Sequence, residues 1–188
     1  MKILKWVVII LIAIILLFAF VGMPYLKKQT KKISPERVAT YVQDGLDMQV
    51  KYSGPYKKGR IIFGELVPFD AVWRTGANEP TTFTTKTNIS ILGNQVAPGT
   101  YSLWTIPGRE SWTVMLNSEV PDWGVTLISG GKKTTYNPDT DVFQIQVPVE
   151  TLEQSIERFT IDFQESEGLF LTLSWDKTRI RIPIKKQA

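Results

Sequence analysis

The 188-residue sequence contains no cysteine and no histidine. This absence excludes disulfide bonds, a lipid on an N-terminal cysteine, thiolate and imidazole nucleophiles, and the common zinc, copper and haem sites. Carboxylates, Lys, Tyr and Ser remain as catalytic groups, and a hard cation held by oxygen ligands remains as a metal option. We therefore expect no cofactor and no metal, and the inventory favours a non-enzymatic protein over an enzyme.

Acidic side chains are missing from residues 1–32, which carry six of the 22 basic residues. The rest of the chain therefore holds 16 basic and 18 acidic residues, although the whole chain has a net charge of +4. A domain with this balance lacks the basic surface that phosphate backbones require. We expect no binding to nucleic acid.

The same N-terminal segment contains 21 consecutive residues without a charge, from Trp6 to Leu26. A helix rises ~1.5 Å per residue, so this run spans the ~30 Å hydrocarbon core of a lipid bilayer. A cleaved signal peptide is the alternative, but no small-x-small cleavage triplet follows the apolar run. The sequence predicts a flank at 1–5, a transmembrane anchor at 6–26, a basic linker at 27–36 and a single domain at 37–188.

The lysines on the two sides of the apolar run bear on the membrane orientation. Two lysines precede the run and four follow it, at positions 27, 28, 31 and 32. This count places the domain on the cytoplasmic side by the positive-inside rule. A basic collar also binds anionic headgroups on either side of a membrane, so the count alone leaves the orientation open.

Alternation of apolar and polar side chains after residue 37 is typical of β-strands. Turn residues recur every 8 to 12 positions, as in a sandwich or barrel. We predict an all-β domain, an antiparallel β-sandwich of jelly-roll type. The predicted strands are 46–52, 88–92, 100–105, 112–117, 125–129, 142–147, 159–163, 169–175 and 180–184. The last three form a meander with turns at 165–168 and at Asp176-Lys177, and only 150–158 has the pattern of a helical turn.

Residues 52–82 break the β pattern and concentrate Gly, Pro, Arg and Trp, and long irregular segments of this kind often carry function. Tyr52 begins a first block that reads Tyr-Ser-x-Pro, Lys-Gly-Arg-x-Ile-Phe-Gly, Leu-Val-Pro and Val-Trp-Arg-Thr-Gly-Ala-Asn-Glu, ending at Glu79. A second block runs from Ala97 to Gly108 and continues from Trp112 to Asn117, and a third is Trp175-Asp176-Lys177-Thr178. These three signature blocks, in this order, resemble the bacterial family of unknown function DUF2911 over roughly residues 45–184.

The resemblance implies a bacterial, mostly exported β-protein, usually made with a signal peptide, and it names no activity. This chain departs from that pattern because its leader looks like a permanent anchor. Its lack of histidine counts against an obligatory histidine mechanism. The resemblance favours an extracytoplasmic domain, periplasmic or elsewhere in the cell envelope, against the lysine count.

Within the first block we select Arg60, Trp73, Arg74, Asn78 and Glu79 as candidate ligand-binding residues. Arginine presents a planar fork to carboxylates, phosphates or sugar hydroxyls, asparagine adds a donor and an acceptor, and tryptophan supplies a flat apolar face. The structural alternative is that Arg74 pairs with Glu79 or with loop carbonyls and that Trp73 packs in the core. Gly64 and Gly76 are predicted to serve backbone conformations with positive φ.

Aromatic residues of the second block are further candidates. Tyr101 and Trp104 fall on opposite faces of a predicted strand, so one of them is exposed unless both faces of the sheet are covered. Trp104 is predicted to be buried, and Trp175 of the third block continues an apolar face and is predicted to lie in the core.

Three functional hypotheses follow. The preferred one is a membrane-anchored, non-enzymatic module that binds a small polar or glycan-like ligand, or a partner at the cell envelope. An enzyme alternative is a glycan hydrolase that uses Glu79 with Asp70 or Asp176 as its carboxylate pair. A third is a structural or assembly factor without a ligand, in which the same residues form an internal network.

Overall fold

The computed structural model describes residues 2–126, 129, 131 and 133–187. The chain divides into two compact units, an N-terminal one that ends at Ile33 and a second one that begins at Ser34. The two units are described separately below.

The N-terminal unit is one long helix in three parts. α1 (Lys2–Leu17) leads into a π-helical turn (Phe18–Gly22), which continues as α2 (Met23–Ile33). From Ile3 to Ile33 the helix is long and apolar enough to cross a membrane, a property that anchors and signal sequences share. Its apolar side chains are exposed. The single N-terminal apolar helix is thus confirmed, and it continues through the lysines into the predicted linker.

In its described residues the second unit, which we call the β-unit, is an antiparallel sheet of nine strands. They are β1 (Glu36–Gln43), β2 (Leu46–Ser53), β3 (Thr81–Thr85), β4 (Ile89–Ile91), β5 (Asn94–Val96), β6 (Gly99–Ile106), β7 (Ser111–Asn117), β8 (Asp141–Glu165) and β9 (Leu169–Lys186). Their order in the sheet is β1-β2-β3-β6-β7-β8-β9-β4-β5. A short 3₁₀ turn, Pro138–Thr140, precedes β8. The predicted all-β, antiparallel fold after an N-terminal helix is confirmed.

The long strand β8 gives the sheet its second layer. Its first part pairs with β7 as far as Pro148, and from Val149 it pairs with β9. The second part packs across β1 and β2, where the rings of Tyr52 and Phe159 meet edge to face with centroids 5.8 Å apart. The Tyr52 hydroxyl also donates to the carbonyl of Ile161 at 3.2 Å. The sheet therefore folds over on itself and encloses the core.

The core follows the predicted alternation. In β9 the apolar face buries Leu171, Leu173 and Trp175, and further along it buries Ile180, Ile182 and Ile184. In β2 the buried residues Met48 and Val50 alternate with residues that are more exposed. The period-2 pattern thus located the core correctly, because each face of a strand carries every second side chain.

Two local predictions at the C-terminal end are wrong. Residues 150–158 belong to β8 rather than to a helical turn, and β9 runs through Asp176-Lys177 without a chain reversal. Register shifts between Thr151 and Ile156, and between Ile156 and Thr160, take up the extra residues as bulges. Asp176 adopts a φ of +52° within this irregular ladder. Pairing between the strands therefore overrides the local turn signals.

The predicted strand at 125–129 lies partly outside the described residues, which omit Leu127 and Ile128. Val125 itself forms an isolated bridge with Thr134. The predicted turn at 165–168 is confirmed, since β8 ends at Glu165 and β9 begins at Leu169.

Candidate functional site

The start of the first signature block is attached to the bulged part of β8. The Lys57 N–H donates to the carbonyl of Glu157 at 2.6 Å, and the Phe159 N–H donates to the carbonyl of Pro55 at 2.9 Å. The Arg158 guanidinium lies over the Tyr56 ring, 4.6 Å from its centroid. Gly and Pro leave this segment irregular, and these contacts fix its position on the sheet.

Lys57 also connects the first block to the third. Its ammonium forms a 2.5 Å ion pair with Asp176 Oδ1, and the Ser155 hydroxyl donates to the same oxygen at 2.7 Å. Burial opposes ionisation of Asp176, but the hydrogen bonds from Lys57 and Ser155 and the nearby lysine charges outweigh it, so the pKa of Asp176 lies below its ordinary value. A carboxylate that is ionised and accepts two hydrogen bonds in this way is poorly suited to act as the general acid of a hydrolase.

The middle of the first block forms a tight loop from residue 61 to residue 69. The Gly64 N–H donates to the carbonyl of Val67, and the Val67 N–H donates to the carbonyl of Ile62, both at 2.9 Å. Gly64 has a φ of +99°, and a Cβ there would lie 2.9 Å from the Phe69 ring. Glycine therefore permits both the backbone conformation and the packing of Phe69, as the sequence predicts.

Behind this loop lies a cluster of five aromatic rings, contributed by Phe63, Trp73, Trp112, Phe159 and Trp175. Phe63 and Trp112 meet edge to face with centroids 5.0 Å apart, and Trp73 stacks on Trp175 at 6.2 Å and 17°. The indole N–H groups of Trp112 and Trp175 are buried and have no hydrogen-bond acceptor among the residues that the structure describes. In edge-to-face packing an N–H group can donate to the face of a ring.

An open cavity of about 150 Å³ lies between this cluster and the solvent. We call it the aromatic pocket. Its lining residues are Phe63, Phe69, Gly108, Arg109, Trp112, Val149 and Thr178. Trp112 is buried, whereas Phe63 and Phe69 are only half-buried and present ring surface to the cavity. At Val149 the pairing partner of β8 changes from β7 to β9. The pocket therefore lies where the two layers separate.

The rim of the aromatic pocket is formed by the turn between β6 and β7. Arg109 is exposed, and its guanidinium lies 4.6 Å from the centroid of the Phe69 ring. In the described part of the chain no carboxylate forms an ion pair with Arg109. Gly108 is required beside it, since a Cβ there would lie 2.4 Å from the Ser111 carbonyl oxygen. The turn thus presents one cation over an apolar floor.

The selected residues of the first block do not share one environment. Trp73 is buried in the aromatic cluster and donates its indole N–H to the carbonyl of Gly76 at 3.0 Å. Asn78 is buried and donates to the carbonyl of Ser34 and to the Ser53 hydroxyl, both at 3.4 Å. Arg60 is exposed and donates its Nε to the carbonyl of Lys57 at 2.9 Å.

Arg74 and Glu79 lie elsewhere in the same block. Arg74 packs against Gly124, since a Cβ added to this glycine would lie 2.2 Å from the Cδ of Arg74. Its Nε is buried without a hydrogen-bond partner among the described residues, and burial lowers the pKa of the guanidinium. Glu79 is half-buried and engaged in an interaction of its own. A ligand-binding role for these residues stays a prediction, and so does the pairing of Glu79 with Asp70.

Tyr101 and Trp104 lie on opposite faces of β6, and neither is fully exposed. Tyr101 is half-buried and donates its hydroxyl to the carbonyl of Ala97 at 2.9 Å. Trp104 is completely buried; its indole N–H donates to the Ser102 hydroxyl at 2.8 Å, and its ring contacts Tyr136. The chain between β7 and β8 supplies Tyr136 and therefore covers the second face of the sheet. Trp175 is buried in the core as predicted.

Comparison with known proteins gives one match. The sequence profile of a family described as a protein of unknown function, DUF2911, matches residues 34–184. The chain belongs to the DUF2911 family. No curated protein and no solved structure matches it. The resemblance to DUF2911 is thus confirmed, and the match covers the β-unit as far as Ile184, two residues before the end of β9.

The three DUF2911 signature blocks meet at the aromatic pocket. Phe63 comes from the first block, Gly108 and Trp112 from the second, and Thr178 from the third, while Phe69 and Arg109 directly follow motif residues. The sequence analysis named all three blocks but selected other residues within them. The available signals were the aromatic Phe69 directly after Leu-Val-Pro and the arginine directly after Pro107-Gly108. Val149 carries no such signal, because only the strand order brings it to the pocket.

The described residues contain no group of three or more acidic side chains that is arranged to hold a metal ion. The chemistry that the aromatic pocket offers is therefore contact with ring faces, one guanidinium and one threonine hydroxyl. These groups bind and orient a ligand.

Proposed function

We propose that this chain is a membrane-tethered module of the cell envelope whose β-unit binds a small glycan-type ring in the aromatic pocket, without catalysing a reaction on it. The observation that supports this function is the convergence of all three DUF2911 signature blocks on one cavity. The N-terminal helix supports the tether, because it is long and apolar enough to cross a membrane.

The walls of the pocket favour a flat ring of modest size. A volume of about 150 Å³ lies below the usual range of drug-sized ligand sites, so one ring is the natural occupant. Phe63 and Phe69 offer apolar faces against which the C–H side of a sugar can pack. The Thr178 hydroxyl both donates and accepts hydrogen bonds, as sugar hydroxyls require.

The rim favours a ring that carries a carboxylate. Arg109 is an exposed guanidinium without an ion-pair partner in the described chain, and its planar fork matches a carboxylate. Stacking on Phe69 holds this fork over the cavity. An acidic sugar such as glucuronate is therefore preferred over glucose.

Binding can be measured on the full chain in lipid nanodiscs by ligand-detected NMR. Glucuronate should bind at least threefold more tightly than glucose, and R109Q should remove that difference. R181Q is the matched control, because Arg181 also lies over an aromatic ring, Phe170, but does not line the pocket. If neither sugar binds, or if R109Q and R181Q bind as the unmodified chain does, the proposed function is wrong.

The extracytoplasmic side has its own test. Because the chain has no cysteine, one introduced thiol can be labelled without background. E153C, at an exposed position of β8, should react with a membrane-impermeant maleimide in intact spheroplasts, whereas K5C should react only after lysis. The reverse result would place the β-unit in the cytoplasm, as the lysine count indicates.

A further inference from the structure

A second cavity lies at the end of the β-unit where the β1–β2 turn, the β8–β9 turn and the end of β9 come together. Its volume is about 290 Å³, and we call it the terminal pocket. Its lining residues are Tyr41, Asp44, Leu46, Glu165, Ser166, Gly168, Leu169, Ile184 and Lys186. None of them belongs to the three signature blocks, and none lines the aromatic pocket.

Glu165 is held in the terminal pocket by two neutral donors from β1. The Tyr41 hydroxyl donates to Glu165 Oε1 at 2.7 Å, and the Gln43 side-chain amide donates to the same oxygen at 3.0 Å. This contact raises the pKa of Tyr41 to about 12. Both donors use one carboxylate oxygen, so the negative charge is fixed in position while Oε2 keeps its capacity to accept.

Lys186 is held by the β1–β2 turn in a similar way. Its ammonium donates to the carbonyl of Asp44 at 3.2 Å. Gly45, with a φ of +73°, allows this approach, because a Cβ there would lie 2.3 Å from the Lys186 Nζ. An ammonium has three donors, so two remain after the bond to Asp44.

The charged residues of this pocket do not neutralise each other. Asp44, Glu165 and Lys186 line the cavity, yet the ion pairs of the described chain include none of them. Glu165 and Lys186 are held by neutral groups instead. The floor between them is apolar and comes from the buried residues Leu46 and Ile184 with the half-buried Leu169.

We propose that the terminal pocket binds a zwitterion with an apolar side chain, such as a free α-amino acid. The ligand ammonium pairs with Glu165, its carboxylate pairs with Lys186, and its side chain covers the floor at Leu46, Leu169 and Ile184. Charge-assisted hydrogen bonds to both ends give specificity, because a ligand that lacks one end leaves one fixed charge without a partner.

The test uses the full chain in nanodiscs and L-leucine as the probe, with isothermal titration calorimetry as the measurement. Isopentylamine lacks the carboxylate of leucine, and 4-methylpentanoate lacks its amine. L-Leucine should bind at least tenfold more tightly than either analogue. If L-leucine does not bind at millimolar concentration, or if one analogue binds equally well, the zwitterion site is wrong.

Substitutions then locate the binding. E165Q and K186M should each weaken L-leucine binding at least tenfold. The controls E167Q and K185M remove neighbouring charges of the same sign that do not line the pocket, and they should leave the affinity unchanged. Thermal unfolding of all four variants monitors the fold, which surface substitutions should preserve. Equal effects of the pocket variants and their controls would overturn the assignment. Glucuronate binding at the aromatic pocket should be unchanged in all four, so the two proposals fail independently.

Discussion

The aromatic pocket and the terminal pocket belong to the same β-unit but are built from different parts of the chain. Six of the seven residues around the aromatic pocket lie in the DUF2911 signature blocks or directly beside them, and none of the nine around the terminal pocket does. The aromatic pocket rests on a buried cluster of large rings, whereas the terminal pocket is formed by two turns and a strand end. The first pocket therefore depends on residues that also stabilise the core, and the second depends on charges placed at its edge.

The largest expected effect is the loss of stability when a buried residue beside the aromatic pocket is truncated. W112A should lower the free energy of unfolding by about 3–5 kcal/mol, because it removes a buried ring from the aromatic cluster and leaves a cavity. L169A, in the floor of the terminal pocket, should lower it by at most about 2 kcal/mol, because Leu169 is only half-buried. Chemical denaturation measures both. Equal losses would contradict the different roles assigned to the two pockets.

The glycines beside the two pockets give the next effect. G108A should cost about 1–3 kcal/mol, because its Cβ would meet the Ser111 carbonyl oxygen, a backbone atom that cannot move away alone. G45A should cost about 1–2 kcal/mol, and this cost comes from the positive φ of Gly45. The contact of the new Cβ adds little to it, because the atom it meets is the flexible tip of Lys186.

Ligand binding gives a sharper test of G45A. G45A should also weaken L-leucine binding, since it displaces the Lys186 ammonium, and should leave glucuronate binding unchanged. G59A is the control, since Gly59 has a φ of +70° with open space around it. If G59A weakens L-leucine binding as much as G45A does, displacement of Lys186 is not the cause.

The ion pair beside the aromatic pocket should contribute about 1 kcal/mol at neutral pH. The pKa of Asp176 is lowered in the folded chain, so its contribution is present above the ordinary aspartate pKa and is lost as the pH falls through the folded value. The difference in stability between the unmodified chain and D176N should therefore shrink on acidification below about pH 4. Denaturation series at several pH values measure this, and a difference that grows towards acid would contradict it.

The smallest effect concerns the terminal pocket. Y41F should lower the stability least among these variants, because it removes a single hydroxyl that donates to the Glu165 carboxylate at the edge of the β-unit. The pKa of Tyr41 is raised to about 12 in the folded chain, so this contribution is complete below pH 10 and is lost as the pH rises through about 12. Ultraviolet titration of Y41F should lack one late-ionising tyrosine, and loss of an ordinary one would contradict the assignment.

The sequence predicted the parts of this molecule that follow from a local period or a local run. The apolar run gave the helix, and alternation in Leu171, Leu173 and Trp175 placed the core correctly. The bulges of β8 and β9 could not be predicted in this way. They depend on which strand lies beside residues 150–158, and that pairing joins residues twenty or more positions apart.

The site was predictable only as a set of segments. The family match covers all three blocks, but Arg60, Arg74 and Asn78 were selected for their polar chemistry and lie in different surroundings. Arg109 and Thr178 meet because β8 changes its partner at Val149, which no local signal indicates. The covering of Trp104 by Tyr136 likewise depends on a distant segment.

The most direct test of the central claim is an NMR titration of the six tryptophan indole N–H resonances with glucuronate, on the full chain in nanodiscs. W112F assigns the Trp112 resonance, and W104F assigns that of Trp104. Trp104 donates to the Ser102 hydroxyl on the face of the sheet opposite to the one that carries Trp112. Binding in the aromatic pocket should shift the Trp112 resonance in a saturable way and leave the Trp104 resonance unchanged. No shift of Trp112, or equal shifts of both, would contradict a ligand site at the aromatic pocket.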